Sequence, residues 1–160
     1  MKNIAFPHRP GSGGPGSFQV RFEKELEKRG YNIVYSNSNI TPDLIFIVGG
    51  TKNIFWLLKH KLNKVPIIFR LDGINWLHKI SGTKQRTFKN WIKSTGINIL
   101  NKIIHAFFAD EIVYQSEFVR NWWNQKGFIK HKNYSIIYNG VDQNVFKSSH
   151  EYNDTYIPKI

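Results

Sequence analysis

The feature that most constrains the fold of this sequence is a glycine-rich loop between a short apolar run and a helical pattern near the amino terminus. The apolar run is 4–6 and the loop is 11–16, where four of the six residues are glycine. Apolar residues then recur at every fourth position, up to Gly30: Phe18, Phe22 and Leu26. A strand, a glycine loop and a helix in this order open α/β domains of the nucleotide-binding type. Glycines let the backbone approach a ligand closely, and free N–H groups at a helix start suit phosphate or carboxylate.

The loop departs from the two best-known phosphate-binding loops. Gly11, Gly13 and Gly16 match the G-x-G-x-x-G spacing of dinucleotide-binding domains, but 35–39 carries no carboxylate to hold a ribose. Pro15 also removes one N–H donor from the loop. A P-loop is excluded because Gly16 is not followed by lysine. The pattern disfavours NAD binding and leaves open a turn that contacts no ligand.

Strand and helix patterns alternate along the whole chain after Gly30. Short apolar runs predict strands at 31–35, 43–48, 66–71, 111–115 and 134–138. Helical patterns follow Thr51, which can cap the first of them, and continue at 88–107 and at 117–125, where Ser116 is the expected cap. We therefore predict an α/β fold, a Rossmann-like parallel sheet with helices on both faces.

Two of the predicted helices have apolar stripes that should face the sheet. The stripe after Thr51 consists of Ile54, Phe55, Leu58 and Leu62. The stripe of the long helix consists of Phe88, Ile92, Thr95, Ile99, Ile103 and Phe107. In the last helix, one residue of the pair Trp122 and Trp123 should face the sheet and the other should be exposed.

The expected ligand site is the edge formed by the carboxyl ends of the strands, where parallel sheets bind their ligands. The polar and glycine residues that follow the predicted strands are His8 with the glycine loop, Gly49, Gly50, Arg70, Asp72, Gly73, Gln115, Ser116, Asn139, Gly140 and Asp142. The six histidines are scattered without a ligand pair at helical spacing, so no metal site is expected.

Composition narrows the possible partners of the chain. Its net charge of +12 fits an anionic membrane surface, which is a further expected contact. The 17 lysines outnumber the 6 arginines and are distributed along the chain rather than in one block, so we expect no nucleic-acid binding. There is no cysteine, no signal-peptide pattern and no apolar run long enough to span a bilayer, which favours the cytoplasm, with peripheral membrane contact as an option.

Three motifs resemble the amino-terminal domain of GT-B glycosyltransferases of the retaining, glycogen-synthase-like group (family 4-like). They are Gly-Pro-Gly-Ser-Phe at 14–18 with Arg29 and Gly30, Val-Tyr-Gln-Ser-Glu-Phe at 113–118, and Ile-Tyr-Asn-Gly-Val-Asp at 137–142 with Phe146. The resemblance extends from residue 2 to about residue 146. By spacing alone, Asn139 and Gly140 also fit a hairpin turn.

The resemblance implies an enzyme of two Rossmann-like domains, active in polysaccharide or glycoconjugate biosynthesis. Residues 1–146 would be the amino-terminal domain, which mainly binds a glycan or lipid acceptor, and 147–160 would begin the interdomain linker. A carboxyl-terminal domain or a separate chain would hold the sugar nucleotide, a co-substrate rather than a cofactor, with a Glu-x7-Glu pair. That pair is absent here, so we expect no hexosyl transfer by this chain alone.

The resemblance also suggests roles for individual residues. The family often has a histidine where this chain has Asp72, which is our candidate catalytic residue and could orient a sugar hydroxyl or only cap the turn beside Arg70. Residues expected at the donor are Gly14, Gly16 and Ser17, where Ser17 is expected to begin the helix, so that its N–H points at the donor. Residues expected along the acceptor cleft are His8, Arg70, Gly73, Gln115, Ser116, Asn139, Gly140 and Asp142. The alternative function is a solitary, non-catalytic module that binds an acidic or sugar ligand.

Overall fold

The computed structural model describes residues 1–74, 88–127 and 133–140. Its strands are β1 (Asn3–Phe6), β2 (Asn32–Tyr35), β3 (Leu44–Val48), β4 (Ile67–Leu71), β5 (Glu111–Tyr114) and β6 (Tyr134–Ile136). Its helices are α1 (Gly13–Lys28), α2 (Ile54–Leu62), α3 (Phe88–Ile103) and α4 (Glu117–Gln125), and a π-helical turn, Ile104–Phe108, continues α3. No helix in these ranges has both the length and the apolar content needed to cross a membrane.

The six strands form one parallel sheet in the order β2-β1-β3-β4-β5-β6. Every neighbouring pair is parallel, for example Ile45 beside Ile67 and Phe69 beside Ile112. The predicted Rossmann-like α/β fold is therefore confirmed. Because β2 and β3 lie on opposite sides of β1, the strand order reverses there and leaves a crevice between the carboxyl ends of β1 and β3.

Helices cover both faces of the sheet, as predicted. On one face, the stripe of α1 packs on an aromatic cluster, where the ring centroids of Phe22 and Phe46 are 4.6 Å apart. On the other face, the core contains Leu57 from α2, Ile104 from the π-helical turn and Trp123 from α4, all packed on alternate strand residues. The strands therefore have apolar side chains on both faces, which explains their nearly continuous apolar runs.

Helix α1 begins at Gly13, within the glycine loop, so the prediction that Ser17 begins this helix is wrong. Ser12 is the N-cap residue in an extended conformation. Gly16 lies one turn later, and a Cβ built there would overlap the carbonyl oxygen of Gly11. The loop can therefore fold against the first turn of α1 because Gly16 has no side chain. Since Ser17 lies beyond the first turn, its N–H is bonded inside the helix.

Most residues of the predicted stripes of α2 and α3 face away from the sheet, although Ile54 of the α2 stripe packs against the core. In α2 the buried residues are Leu57 and His60, whereas Phe55, Leu58 and Leu62 are exposed. In α3 the buried residue is Asn101, and five of the six stripe residues are exposed: Phe88, Ile92, Ile99, Ile103 and Phe107. The difference has a physical reason, since polar residues occupy buried positions of both helices, and a pattern of apolar spacing does not register them. His105 of the π-helical turn is buried in the same way, with Nε2 3.3 Å from the Tyr114 hydroxyl.

One of the two predicted helix caps is confirmed and the other is wrong. Ser116 caps α4 as expected, because its Oγ accepts a hydrogen bond from the Val119 N–H at 3.2 Å. The N-cap of α2 is Asn53 rather than Thr51, whose Oγ1 instead accepts from the Asn53 N–H at 3.1 Å. Trp123 is the member of the pair that faces the sheet.

A candidate ligand site at the carboxyl edge of the sheet

The centre of the candidate site is an ion pair between Arg70, the penultimate residue of β4, and Asp72, just after that strand. Arg70 is buried, and its Nη1 donates to Asp72 Oδ1 at 2.5 Å. The guanidinium also lies over the ring of Phe18, with Cζ 3.8 Å from the ring centroid. A charge buried this deeply needs a charged partner and fixed hydrogen bonds, and Asp72 supplies both.

Two residues that follow β5 and β6, Gln115 and Asn139, complete the network around this pair. Gln115 donates from Nε2 to Asp72 Oδ1, and Asn139 donates from Nδ2 to Gln115 Oε1 at 2.9 Å. Arg70 in turn donates from Nη2 to Asn139 Oδ1 at 2.8 Å. The four predicted rim residues therefore meet in one closed ring of hydrogen bonds, which holds the carboxylate of Asp72 in a single orientation.

The second oxygen of Asp72, Oδ2, is buried without a hydrogen-bond partner among the described residues. It lies beneath Gly49, whose φ is +68°, and a Cβ built on Gly49 would come within 2.6 Å of it. The same Cβ would lie 3.7 Å from Pro15 of the glycine loop. Burial raises the pKa of Asp72 above its ordinary value, although Arg70 acts in the opposite direction. An acceptor without a donor in such a place is costly and calls for an explanation.

This oxygen lies close to the crevice where the strand order reverses. His8 spans the crevice, with Nε2 3.2 Å from the carbonyl oxygen of Gly50. At the amino-terminal end of α1, which lies beside the crevice, the N–H groups of Gly13 and Gly14 have no partner within the helix. Gly14 is exposed, and a Cβ built there would meet no atom within 4 Å. The crevice therefore combines a carboxylate acceptor with backbone donors at a positive helix end.

Among the residues that the structure describes, the other predicted site residues do not join the hydrogen-bond network around Asp72. Gly16 is buried against Gly11, and Ser17 is exposed on the second turn of α1. The hydroxyl of Ser116 is used as the cap of α4. Gly73 and Gly140 are exposed at the carboxyl edge, where Gly140 borders a hollow of about 200 Å³ that also contacts Phe18, Arg21, Phe22 and Asn139. Asp142 lies outside the described residues.

Two supporting residues of the site were not identified as such from the sequence. Trp123 donates from Nε1 to the backbone carbonyl of Asp72 at 2.8 Å, which fixes the turn that carries the carboxylate. Gly49 has the conformation and the missing Cβ that allow Asp72 to approach. The position of Gly49 directly after an apolar run is the sequence signal that could have identified it. No sequence pattern links Trp123 to Asp72, because they are 51 residues apart.

A larger cavity of about 820 Å³ lies at the opposite, amino-terminal edge of the sheet. Its floor is mainly apolar, with Leu26, Phe46 and Ile68, and its rim carries Lys2 and Asp43. No ring of converging polar groups comparable to that around Asp72 is formed there by the residues that line it. We place the candidate site at the smaller, carboxyl-terminal crevice because it combines polar groups, glycines and the reversal of strand order.

Within the ranges that the structure describes, no three histidine or acidic side chains come together as metal ligands. Searches of protein-family models, curated proteins and solved structures give no match to this chain. The resemblance to glycosyltransferases therefore depends on the sequence motifs alone. Any inference about function must also agree with the geometry of the carboxyl edge.

Proposed function

We propose that this chain is the acceptor-side domain of a glycosyltransferase of the GT-B type. The observation that carries the proposal is Oδ2 of Asp72, a buried acceptor without a donor, under the glycines that border the crevice. A sugar hydroxyl is the kind of donor that would satisfy this oxygen. The motif residues Gln115 and Asn139 support the assignment, because with Arg70 they form the network that holds this carboxylate.

In this proposal Asp72 binds the acceptor hydroxyl and can hold its proton during transfer. Oδ1 stays with Arg70 and Gln115, which orient the carboxylate, while Oδ2 accepts from the hydroxyl. The raised pKa of Asp72 strengthens it as a proton acceptor relative to an ordinary exposed aspartate. Because Oδ2 is covered in this structure, the hydroxyl enters when Pro15 and Gly49 move apart.

The donor side of the proposal uses the start of α1. The N–H groups of Gly13 and Gly14 point away from the helix body, and the first turn contains no acidic residue. Such a helix end favours the diphosphate of a sugar nucleotide that a carboxyl-terminal domain presents across the cleft. Gly14 is the member of the predicted donor set that fits this role, while Gly16 supports the loop.

Saturation-transfer NMR with methyl glycosides of glucose, galactose and mannose tests the acceptor side. We expect saturation transfer from the 1–160 chain to at least one glycoside, and its loss in Asp72→Ala. In Asp72→Asn the amide oxygen can still accept from Arg70, but an amide NH2 group, which donates rather than accepts, replaces Oδ2, so we expect at least tenfold weaker binding. Glu27→Gln is the matched control, since Glu27 is exposed on α1.

Equal transfer in the Asp72 and Glu27 variants would refute the assigned acceptor site. Glycoside binding that depends on Asp72, together with failure to transfer sugar after a donor-binding domain is supplied, would instead favour the non-catalytic module. With the chain alone, we expect no turnover of any sugar nucleotide, because the groups that stabilise the leaving diphosphate belong to the donor side.

A further inference from the structure

The outer side of α2 and α3 carries a row of large apolar residues that face away from the sheet. Phe55 is 88% exposed, Phe88 is 78% exposed and Phe107 is 73% exposed. Leu62, Ile92 and Ile99 extend the row along both helices. We call these exposed residues the α2–α3 face. Helix α2 contacts the π-helical turn that continues α3. Large exposed apolar surfaces mark contacts with another molecule or with a membrane.

Helix α3 is held to the core mainly by its last turn. None of the residues 88–100 is buried, whereas Asn101 and three residues of the π-helical turn are: Ile104, His105 and Phe108. With 16 residues, α3 is about 24 Å long, whereas a five-residue strand such as β4 spans about 17 Å. The apolar row of α3 therefore lies along a helix that has no buried residue before Asn101.

The charge around this face is strongly one-sided. Together α2 and α3 contain five lysines and no carboxylate. Lys89 and Lys93 are exposed beside the row on α3, and Lys59 is exposed on α2. Asp110, just after the π-helical turn, forms an ion pair with Lys61.

We propose that the α2–α3 face binds the surface of an anionic lipid bilayer. Its aromatic and aliphatic row would enter the interface between headgroups and acyl chains, while the flanking lysines contact anionic headgroups. A second copy of the chain is a poorer occupant, because pairing two such faces would bring lysines against lysines. This inference is independent of the glycosyltransferase proposal, since it uses none of the residues at the carboxyl edge.

Flotation with defined vesicles tests the lipid contact. We expect the 1–160 chain to bind vesicles of phosphatidylcholine with about 30% phosphatidylglycerol at least tenfold more tightly than pure phosphatidylcholine, and to dissociate as salt rises. Lys89→Gln with Lys93→Gln should weaken binding by about fivefold per lysine, which corresponds to the usual contribution of a lysine near an anionic surface. Lys2→Gln with Lys24→Gln, exposed at other positions, should leave binding unchanged.

Site-specific labelling tests which side of the chain enters the lipid. The chain contains no cysteine, so Ile92→Cys and Val20→Cys each provide a unique position for an environment-sensitive fluorophore. Both residues are about half exposed, the first on α3 and the second on α1. On addition of anionic vesicles we expect a blue shift at position 92 and none at position 20.

Equal binding to neutral and anionic vesicles would overturn the proposal, as would unchanged binding after both lysine substitutions on α3. A blue shift at position 20 but not at position 92 would overturn it as well. A stable dimer that Ile92→Ser disrupts, with no retention on anionic vesicles, would also overturn it and assign the face to a second copy. The lysine and cysteine variants change exposed side chains, so circular dichroism should show a folded chain in each case.

Discussion

At Gly49 the absence of a Cβ determines where Asp72 can lie. Gly49 has a φ of +68°, and an added Cβ would come within 2.6 Å of Asp72 Oδ2. We expect Gly49→Ala to strain the backbone and displace the carboxylate, lowering stability by about 1–3 kcal/mol and weakening glycoside binding. Denaturant unfolding and saturation-transfer NMR measure the two effects. Unchanged stability and binding would show that this close approach does not hold in solution.

Gly16 and Gly14 have different roles in the same loop, which a pair of alanine variants can separate. Gly16 faces the Gly11 carbonyl, so Gly16→Ala should cost about 1–3 kcal/mol of unfolding free energy. Gly14 is exposed with open space around it, so Gly14→Ala should be neutral or stabilise α1 by up to about 1 kcal/mol. Urea denaturation of both variants gives the comparison, and equal losses would contradict the assigned start of α1.

Tyr35 provides a prediction for alkaline pH. Its hydroxyl donates to Glu23 Oε2 at 2.9 Å, and burial together with that carboxylate raises the pKa of Tyr35 to about 12. The unfolded chain loses this proton near pH 10. Wild type should therefore exceed Tyr35→Phe in stability below pH 10, and the difference should shrink as pH rises from 10 to 12. A difference that grows over this range, measured by denaturant unfolding, would refute the assignment.

For the helices, the orientation of α2 can be tested by two leucines. Leu57 is fully buried in the core, whereas Leu62 is 75% exposed. Leu57→Ala should cost about 2–5 kcal/mol and Leu62→Ala at most about 0.5 kcal/mol. The apolar pattern of the sequence predicts the reverse order, since it places Leu62 in the stripe and omits Leu57. Urea denaturation of the two variants therefore distinguishes the structure from the pattern.

The strands and helices could be predicted from the sequence more accurately than the side of each helix that is buried. Runs such as Leu44–Val48 gave the strands, and Ser116 gave the start of α4, because local chemistry determines these features. The buried sides of α2 and α3 carry His60 and Asn101, so apolar periodicity indicated the wrong side of each helix. Burial of a polar side chain depends on the elements packed around it, which spacing within one helix does not reveal.

At the candidate site, too, the sequence predicted which residues lie at the edge but not the contacts between them. Arg70, Asp72, Gln115 and Asn139 could be placed at one edge from strand ends alone, because parallel strands bring their carboxyl ends together. Their closed ring of hydrogen bonds could not be predicted, since it joins residues up to 69 positions apart. The start of α1 inside the glycine loop depends on contact between Gly16 and Gly11, a steric detail without a sequence signature.

For the whole molecule, the two edges of the sheet offer competing places for a ligand. The amino-terminal edge has the larger cavity, about 820 Å³, with an apolar floor. The carboxyl-terminal edge has the reversal of strand order, the start of α1 and the unpaired oxygen of Asp72. Parallel sheets bind ligands at the second of these edges, and the polar groups there suit sugar hydroxyls.

A map of amide shifts on titration with the methyl glycosides tests this choice most directly. In ¹⁵N-labelled 1–160 chain we expect saturable shifts of the backbone amides at 8–14, 49–51 and 72–73. The side-chain amides of Gln115 and Asn139 should shift as well, because both belong to the network around Asp72. Shifts confined to the residues around the amino-terminal cavity, such as Lys2, Tyr31 and Asp43, would contradict the proposed site.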